Sequence, residues 1–469
     1  MHLVNLITDT FKKCLFLLTL SLIFFSNVMA QDNSPLSRYG IGDLSPTQNI
    51  INRAMGGVSA AYADFGLLGS PLHINFVNPA SLGNLSNTKS FSNVIFDIGA
   101  EVDSRTLKST TNTEKYKSNN TTISYLQIAF PISTKKMEKK GTTWGLALGL
   151  RPVSKINYKI ETNGRLTGVD SINTLYEGSG GLNQVNLSTG IRKIGKGASH
   201  NEFSVGVSVG YSFGSKDYST RRTLVNDTVN YAKSNYEVSS RFGGLFINTG
   251  IQYQLNTQNS GTWRFGAFAN LQQKLKAKQD VIFESYGYDY TGDVATIDSV
   301  AGVKDSVGKI VIPSTIGIGF TYHSKNNKWL VGADFDCSNW GSSYQFYDKT
   351  DKVMNSWTMR VGAEYYPAKF NAAKNNYFSY LKYRAGFYFG PDYIKLDEKR
   401  NNYAVTAGAS FPLSTPRYIQ TRGEYVTLNT SFEIGARGNK SSASFHENFV
   451  KFNFGISMNA RWFQKRIYD

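Results

Sequence analysis

Few residues in this chain are of the types and spacings that carry covalent chemistry. The histidines are His2, His73, His200, His323 and His446. A hydrolase would need one of them held against a nucleophile as its base. By the strand pattern set out below, His200 and His323 fall in short turns and His446 in a long outer loop. Only His73 is then eligible by position. No HExxH, CxxC, phosphate loop or dinucleotide fingerprint is present. Residues 178–181 read G-S-G-G, but a strand follows them where a phosphate cradle requires a helix. Asp334 and Asp336 are two apart, so on a strand they share a face and could hold a cation; a wall role is simpler. The expectation is a protein without catalytic residues, metal or cofactor.

The elements that position these residues are strands. Residues 203–214 read F-S-V-G-V-S-V-G-Y-S-F-G. Phe203, Val205, Val207, Val209, Tyr211 and Phe213 share one face; Ser204, Gly206, Ser208, Gly210, Ser212 and Gly214 share the other. A soluble sandwich would put long polar groups opposite the apolar row. A row of small residues instead predicts an inner wall that leaves room for something, with the apolar face turned to lipid.

From Phe91 onward this alternation predicts an all-β, 14-stranded antiparallel transmembrane β-barrel. Its strands are expected at 91–101, 120–131, 142–158, 181–193, 202–214, 236–255, 262–274, 310–322, 328–338, 356–366, 380–390, 402–411, 423–436 and 449–463. Odd connections are mostly long and even ones mostly short, as in a meander with long outer loops and short periplasmic turns. The connection 275–309 is the longest, and a loop of that length is usually functional or disordered. Trp144, Trp263, Trp329, Trp340, Trp357 and Trp462 all fall at strand ends, where an interfacial aromatic girdle would place them.

The inward parity also carries Arg264, Asp334, Asp336, Arg360, Glu364, Lys382, Arg384, Glu433, Lys451 and Arg461. Facing lipid these would be costly; facing the lumen they can pair or meet water. One reading is an ion-pair network that braces the wall and seats an inner plug through Arg38, Arg53 and Asp64. A sharper one is that some of the cations attract the carboxylate or phosphate of an amphiphile.

Residues 1–30 read as an export signal: Lys12 and Lys13, an apolar run from Cys14, then Val28-Met29-Ala30. Its removal would leave one cysteine, Cys337, and so no internal disulfide. Residues 31–90 show no strand ladder but are rich in Gly, Ala and apolar groups, and are expected to form an N-terminal plug, or hatch, inside the lumen. Residues 91–469 would form the barrel, in the outer membrane of a Gram-negative bacterium. The net charge is +17. It suits contact with anionic lipid headgroups and lipopolysaccharide, and its scatter gives no nucleic-acid groove.

Met55-Gly56-Gly57-Val58-Ser59-Ala60-Ala61, Asn78-Pro79-Ala80-Ser81-Leu82 and Gly180-Gly181-Leu182-Asn183-Gln184-Val185, with the strand count, resemble the long-chain fatty acid outer-membrane transporter family over roughly residues 35–463. The resemblance implies a hatch holding Arg38, Arg53, Gly56, Gly57, Asn78, Pro79 and Ala80. It also implies uptake of a hydrophobic or amphiphilic small molecule, leaving laterally beside a kinked strand. No local motif marks the arginines that would hold a fatty carboxylate. Members of this superfamily also serve as non-transporting partners in outer-membrane secretion or assembly machinery, so an accessory barrel with protein partners is the alternative. Asp-Ser/Thr-aliphatic triplets at Ser171, Thr228, Ser299 and Ser306 resemble O-glycan acceptors and fall on the expected exterior.

Overall fold

The computed structural model describes residues 33–461 apart from 64–72, 86–92, 109–114, 369–375, 397–398, 415–423, 440–445 and single or paired positions in turns (169, 198, 227–228, 230, 258–259, 289–290, 292–293). Asp64, Thr228, Trp462 and the side chain of Arg461 lie outside the described residues. No helix among those described is long and apolar enough to cross a membrane, which says nothing of strands.

The wall is a closed antiparallel barrel of 14 strands. It runs through β2 (Asn93–Lys108), β3 (Lys115–Pro131), β4 (Thr142–Arg165), β5 (Ser171–Ile194), β6 (Glu202–Val225) and β7 (Lys233–Thr257). β8 (Gly261–Asn270) and β9 (Gln273–Tyr288) form one stave, since β7 pairs with β8 along one half and β9 along the other. β10 (Val294–Ile312) and β11 (Thr315–His323) form the next, broken at Pro313, which has no N–H for the ladder. β12 (Trp329–Ser338), β14 (Ser356–Tyr365), β15 (Lys382–Pro391), β16 (Asn401–Pro412), β17 (Tyr425–Arg437) and β18 (His446–Arg461) follow, and β18 pairs with β2 to close the circle. Two short strands lie off the wall: β1 (Asp43–Leu44) and β13 (Gln345–Phe346).

Alternation sorts the side chains as the period of two requires. Phe203, Val205, Val207, Val209, Tyr211 and Phe213 are exposed on the outer surface, while Ser204, Ser208 and Ser212 are buried inside. The outer connections depart from the sequence expectation. Residues 159–180, 215–235 and 275–309 are largely strand: β4 runs on to Arg165 and β5 starts at Ser171, β6 reaches Val225 and β7 starts at Lys233, and Gln273–Tyr288 and Val294–Ile312 are paired strands. β5 alone has 24 residues, about 80 Å at strand rise, whereas crossing hydrocarbon takes about 10 residues. The staves from β4 to β10 therefore stand well above the bilayer on one side of the barrel. Apolar alternation ends at the lipid boundary, but the backbone ladder needs no apolar face and continues beyond it.

Residues 33–63 and 73–85 lie within the wall. A short helix, α1 (Ile50–Ala54), starts at Asn49, whose side chain accepts from Asn52 N, and is buried throughout. Beyond it Gly56 takes φ +67°, and a Cβ there would fall 2.6 Å from Phe387 O. The barrel's small inward residues make the reciprocal room: a Cβ on Gly206 would lie 2.3 Å from the Pro79 backbone, and one on Gly386 would lie 2.2 Å from Gly56 N.

Trp340 is not part of a girdle. It sits 6% exposed on α2 (Trp340–Ser343), packed with Tyr344, Tyr393, Leu36 and Ile310 in an apolar cluster across the outer end of the lumen. The outer loop 339–355 folds inward over the lumen because its aromatic residues find the apolar side of the N-terminal segment there. Trp329 and Trp357 are exposed, and Trp144 and Trp263 half-buried, on the wall. His446 begins β18 instead of lying in a loop, its ring against Gly438 O and Asn448. Gly178, Gly180 and Gly181 are inside β5, where a Cβ on Gly181 would meet Ser154 O at 2.4 Å; they admit close strand approach.

Candidate functional site

The closed circle is incomplete at one seam. β3 and β4 pair only from Leu126–Leu150 to Pro131–Gly145. The outer part of β3, residues 115–125, has no β4 partner, although β4 continues to Arg165 and stays paired with β5. Two local features coincide at this level. β4 reaches Pro152, which cannot donate, and shifts register against β5 between Pro152 and Ser154. β3 shifts register against β2 between Gly99 and Ala100, leaving Ser124 as the extra residue. Each bulge bends its strand, so the seam parts above Leu150. Proline inside an alternating run was the available signal for an edge or bulge, and the continuous strand expected over 142–158 passes over it.

The N-terminal segment runs along the free edge of β4. Ser34 N donates to Asn157 O at 2.8 Å, β1 pairs Asp43 with Lys155 and Leu44 with Ser154, and Ser45 N donates to Val153 O at 2.9 Å. Two contacts span the gap: Lys155 Nζ donates to Asn120 Oδ1 at 2.7 Å, and Asn33 reaches Ser118 on one side and Lys159 on the other. Between them lies a cavity of about 510 Å³. Its outer lip is apolar, with Leu44, Ile123, Leu126, Leu150, Pro152 and Phe213; its inner end carries Asp43, Glu101, Arg105, Arg151 and Lys451. A second cavity of about 300 Å³ lies in the lumen, lined by Phe246, Phe268, Ile312, Trp340 and Tyr388 together with polar groups. Leu44, Ser45, Pro46 and Arg151 border both, so a three-residue strap separates lumen from gap.

Arg151, like the buried Lys216 that donates to Gly40 O at 2.9 Å, is a cation held by neutral acceptors. Its guanidinium donates to Gln184 Oε1 at 2.9 and 3.1 Å and to Thr47 O at 3.5 Å, and no acidic side chain among the described residues pairs with it. The other inward charges engage one another or neutral groups. Arg53 meets Glu433 at 2.7 Å and Glu101 at 2.5 Å. Asp336 pairs with Arg360, Glu364 with Arg384 at 2.7 Å and Lys382 at 3.4 Å, and Lys451 with Glu101 at 3.5 Å. Arg264 bonds Gln254. Asp334 accepts from Ser59 N at 2.5 Å and Ala60 N at 2.7 Å. Asp334 and Asp336 thus have separate partners, and no metal-holding cluster occurs among the described residues. Asp43 joins two strands, with Arg105 and Arg437 each at 2.8 Å. Burial alone would raise its carboxyl pKa, but the two guanidiniums outweigh that and hold it well below 3.8.

Of the other N-terminal residues, Gly56 N donates to Thr406 Oγ1 at 2.8 Å and Gly57 lies beside Arg360. Asn78 Nδ2 bonds Ala60 O, Ile251 O and Ala267 O, and its Oδ1 accepts from Ala80 N, following Pro79 into a short turn. Arg38 makes no ion pair with the wall among the described residues; it is exposed and stacks 4.4 Å from the Tyr176 ring centroid. His73 Nδ1 lies 3.1 Å from Ser457 Oγ, but that hydroxyl also bonds Asp97 at 2.9 Å and Asn429 at 2.8 Å. The Ser457 hydroxyl thus donates to a carboxylate, whereas a hydrolase relay has its serine give the proton to the imidazole.

A wall with a lipid-facing apolar surface, an occupied lumen and a lateral seam defines an outer-membrane β-barrel. The chain belongs to the BamG family, which it matches over residues 11–469. Among solved structures it is similar to the toluene transporter TodX of P. putida, at 14% identity and a TM-score of 0.50, covering 88% of this chain and 98% of that one. It is also similar to a Pseudomonas aeruginosa FadL homologue, at 10% identity and 0.51, covering 90% and 99%. These likenesses concern the fold. No curated protein sequence matches the chain.

Proposed function

We propose that this barrel takes up hydrophobic or amphiphilic small molecules, with residues 33–85 acting as a plug and the β3–β4 seam as the lateral exit. The observation that carries this is the seam itself: an apolar-lipped cavity between two bulged strands, divided from a luminal cavity by Leu44-Ser45-Pro46. A tail would lie against Ile123, Leu126 and Leu150. Arg151, a buried cation without an acidic partner, would receive a carboxylate or phosphate head, at a position that touches both cavities. A long-chain fatty acid has this form; the neutral compound named for TodX does not use such a group.

The test closes the seam covalently. In a Cys337→Ser background, Asn120→Cys with Lys155→Cys would bridge the gap under oxidation, and uptake of labelled fatty acid and toluene by cells lacking the native copy is read before and after reduction. Uptake lost on oxidation and restored on reduction is expected. A control bridge at the paired positions Phe130 and Leu146 leaves it unchanged. Uptake indifferent to the seam bridge sinks the reading.

A second reading, an accessory barrel fixed within a multi-protein outer-membrane complex, would draw on two features of the chain. The plug is seated by buried ion pairs, and the tall outer wall exposes Ile297, Val300, Val303 and Val307 on β10 above the bilayer level. Partners recovered in stoichiometric amounts without bound ligand would establish it. We also propose O-glycan attachment on that wall: Ser171 and Ser299 are exposed and Ser306 half-buried, all on strands and not in loops.

A further inference from the structure

The periplasmic end of the barrel directly beneath the seam is strongly cationic. The turn joining β3 to β4 contains α3 (Lys135–Lys139), capped by Thr134, whose side chain accepts from Met137 N. Lys135, Lys136, Lys139 and Lys140 are all exposed there, as are Lys193 at the end of β5 and Lys196 on the turn that follows it. The two turns are tied together: Ile194 N donates to Gly141 O at 2.8 Å, and Lys193 Nζ donates to Lys140 O at 2.7 Å. Glu138 is the one acidic residue in either turn up to Gly197. Arg192 and Glu202 pair with each other at 3.1 Å and leave this balance unaltered.

The depth of these lysines decides what they meet. Trp144 is on the outward parity of β4 with Leu146, Leu148 and Leu150, opposite the exposed Ile191 of β5. Gly141 lies three residues further, about 10 Å along the strand. The ammonium groups therefore sit at headgroup level under the lowest apolar row, where lysines snorkel and anionic surfaces add favourable energy for each charge. We infer that this lysine cuff binds the headgroups of anionic phospholipids in the periplasmic leaflet at the foot of the β3–β4 seam. Continuity with the lipid-facing wall favours a lipid occupant over an acidic periplasmic protein. The inference does not depend on whether the seam conducts anything.

The test uses the full-length protein in mild detergent with equal phosphatidylglycerol and phosphatidylcholine, bound lipid being counted by native mass spectrometry. Wild type is expected to retain phosphatidylglycerol preferentially. The variant Lys135→Gln, Lys136→Gln, Lys139→Gln and Lys140→Gln should lower that preference by about tenfold or more. Lys325→Gln with Lys328→Gln, on another periplasmic turn, should change it little. Heat-modifiable gel mobility reports that each barrel is folded. Equal lipid ratios in wild type and the four-lysine variant overturn the inference. So does an acidic periplasmic protein that binds through these lysines while no lipid preference is seen.

Discussion

The Arg53 guanidinium on the inner segment meets the Glu433 carboxylate of β17 at 2.7 Å, with both side chains 3% exposed. Arg53 also bonds Glu101 of β2, so one cation neutralises acids from two separate strands. Such a group stabilises less by attraction than its loss destabilises, since removal leaves buried Glu433 with only the neutral Asn453 amide among the described residues and Glu101 with Lys451.

Arg53→Met should therefore cost about 3–5 kcal/mol. The expected readout is a lower midpoint for heat-induced loss of the compact barrel on gels and faster proteolysis within residues 33–63. A variant with unchanged protection would show that the segment is held by packing alone.

Acid should release Asp43 late. A carboxyl whose pKa is lowered on folding contributes stability that is fully present above its unfolded value and lost as pH falls through the folded value. For Asp43 that window lies below 3.8. Attachment of β1 to β4 should thus be retained at pH 4, measured by protease protection of residues 40–46. Asp43→Asn should reduce protection at pH 7 and at pH 4 alike.

Filling the inner wall should displace the plug. Gly206→Leu places a side chain against the Pro79 backbone, an overpacking cost of about 1–3 kcal/mol. Entry of a large hydrophilic antibiotic into cells should rise. Val207→Leu, one residue along and facing outward, should leave permeability unchanged.

The two tryptophans flanking the outer loop 339–355 should behave differently. Trp340→Ala empties the apolar cluster over the lumen and should cost about 3–5 kcal/mol. Trp357→Ala, on the outer face beside the rings of Phe335 and Phe389, should cost less, about 0.5–1.5 kcal/mol. Thermal midpoints in one detergent compare them.

By itself the sequence determined the architecture of the wall. Lipid and lumen impose opposite demands on alternate residues, so Phe203 to Gly214 and thirteen other runs declare their faces and their number without knowledge of their neighbours. Trp144, Trp263, Trp329 and Trp357 stand near strand ends on the wall, whereas the place of Trp340 depends on a loop folding back onto Leu36 and Tyr393. The height of the outer wall was not legible, because backbone pairing beyond the bilayer leaves no apolar trace. Nor was the seam: Pro152 is visible in the chain, but only the barrel brings it level with the bulge at Ser124 and lets two strands part. The same holds for Arg53 with Glu433 and Asp43 with Arg437. Partners hundreds of residues apart meet only when the circle closes, and tertiary structure alone decides which charges pair with the N-terminal segment and which, like Arg151, meet only neutral groups among the described residues.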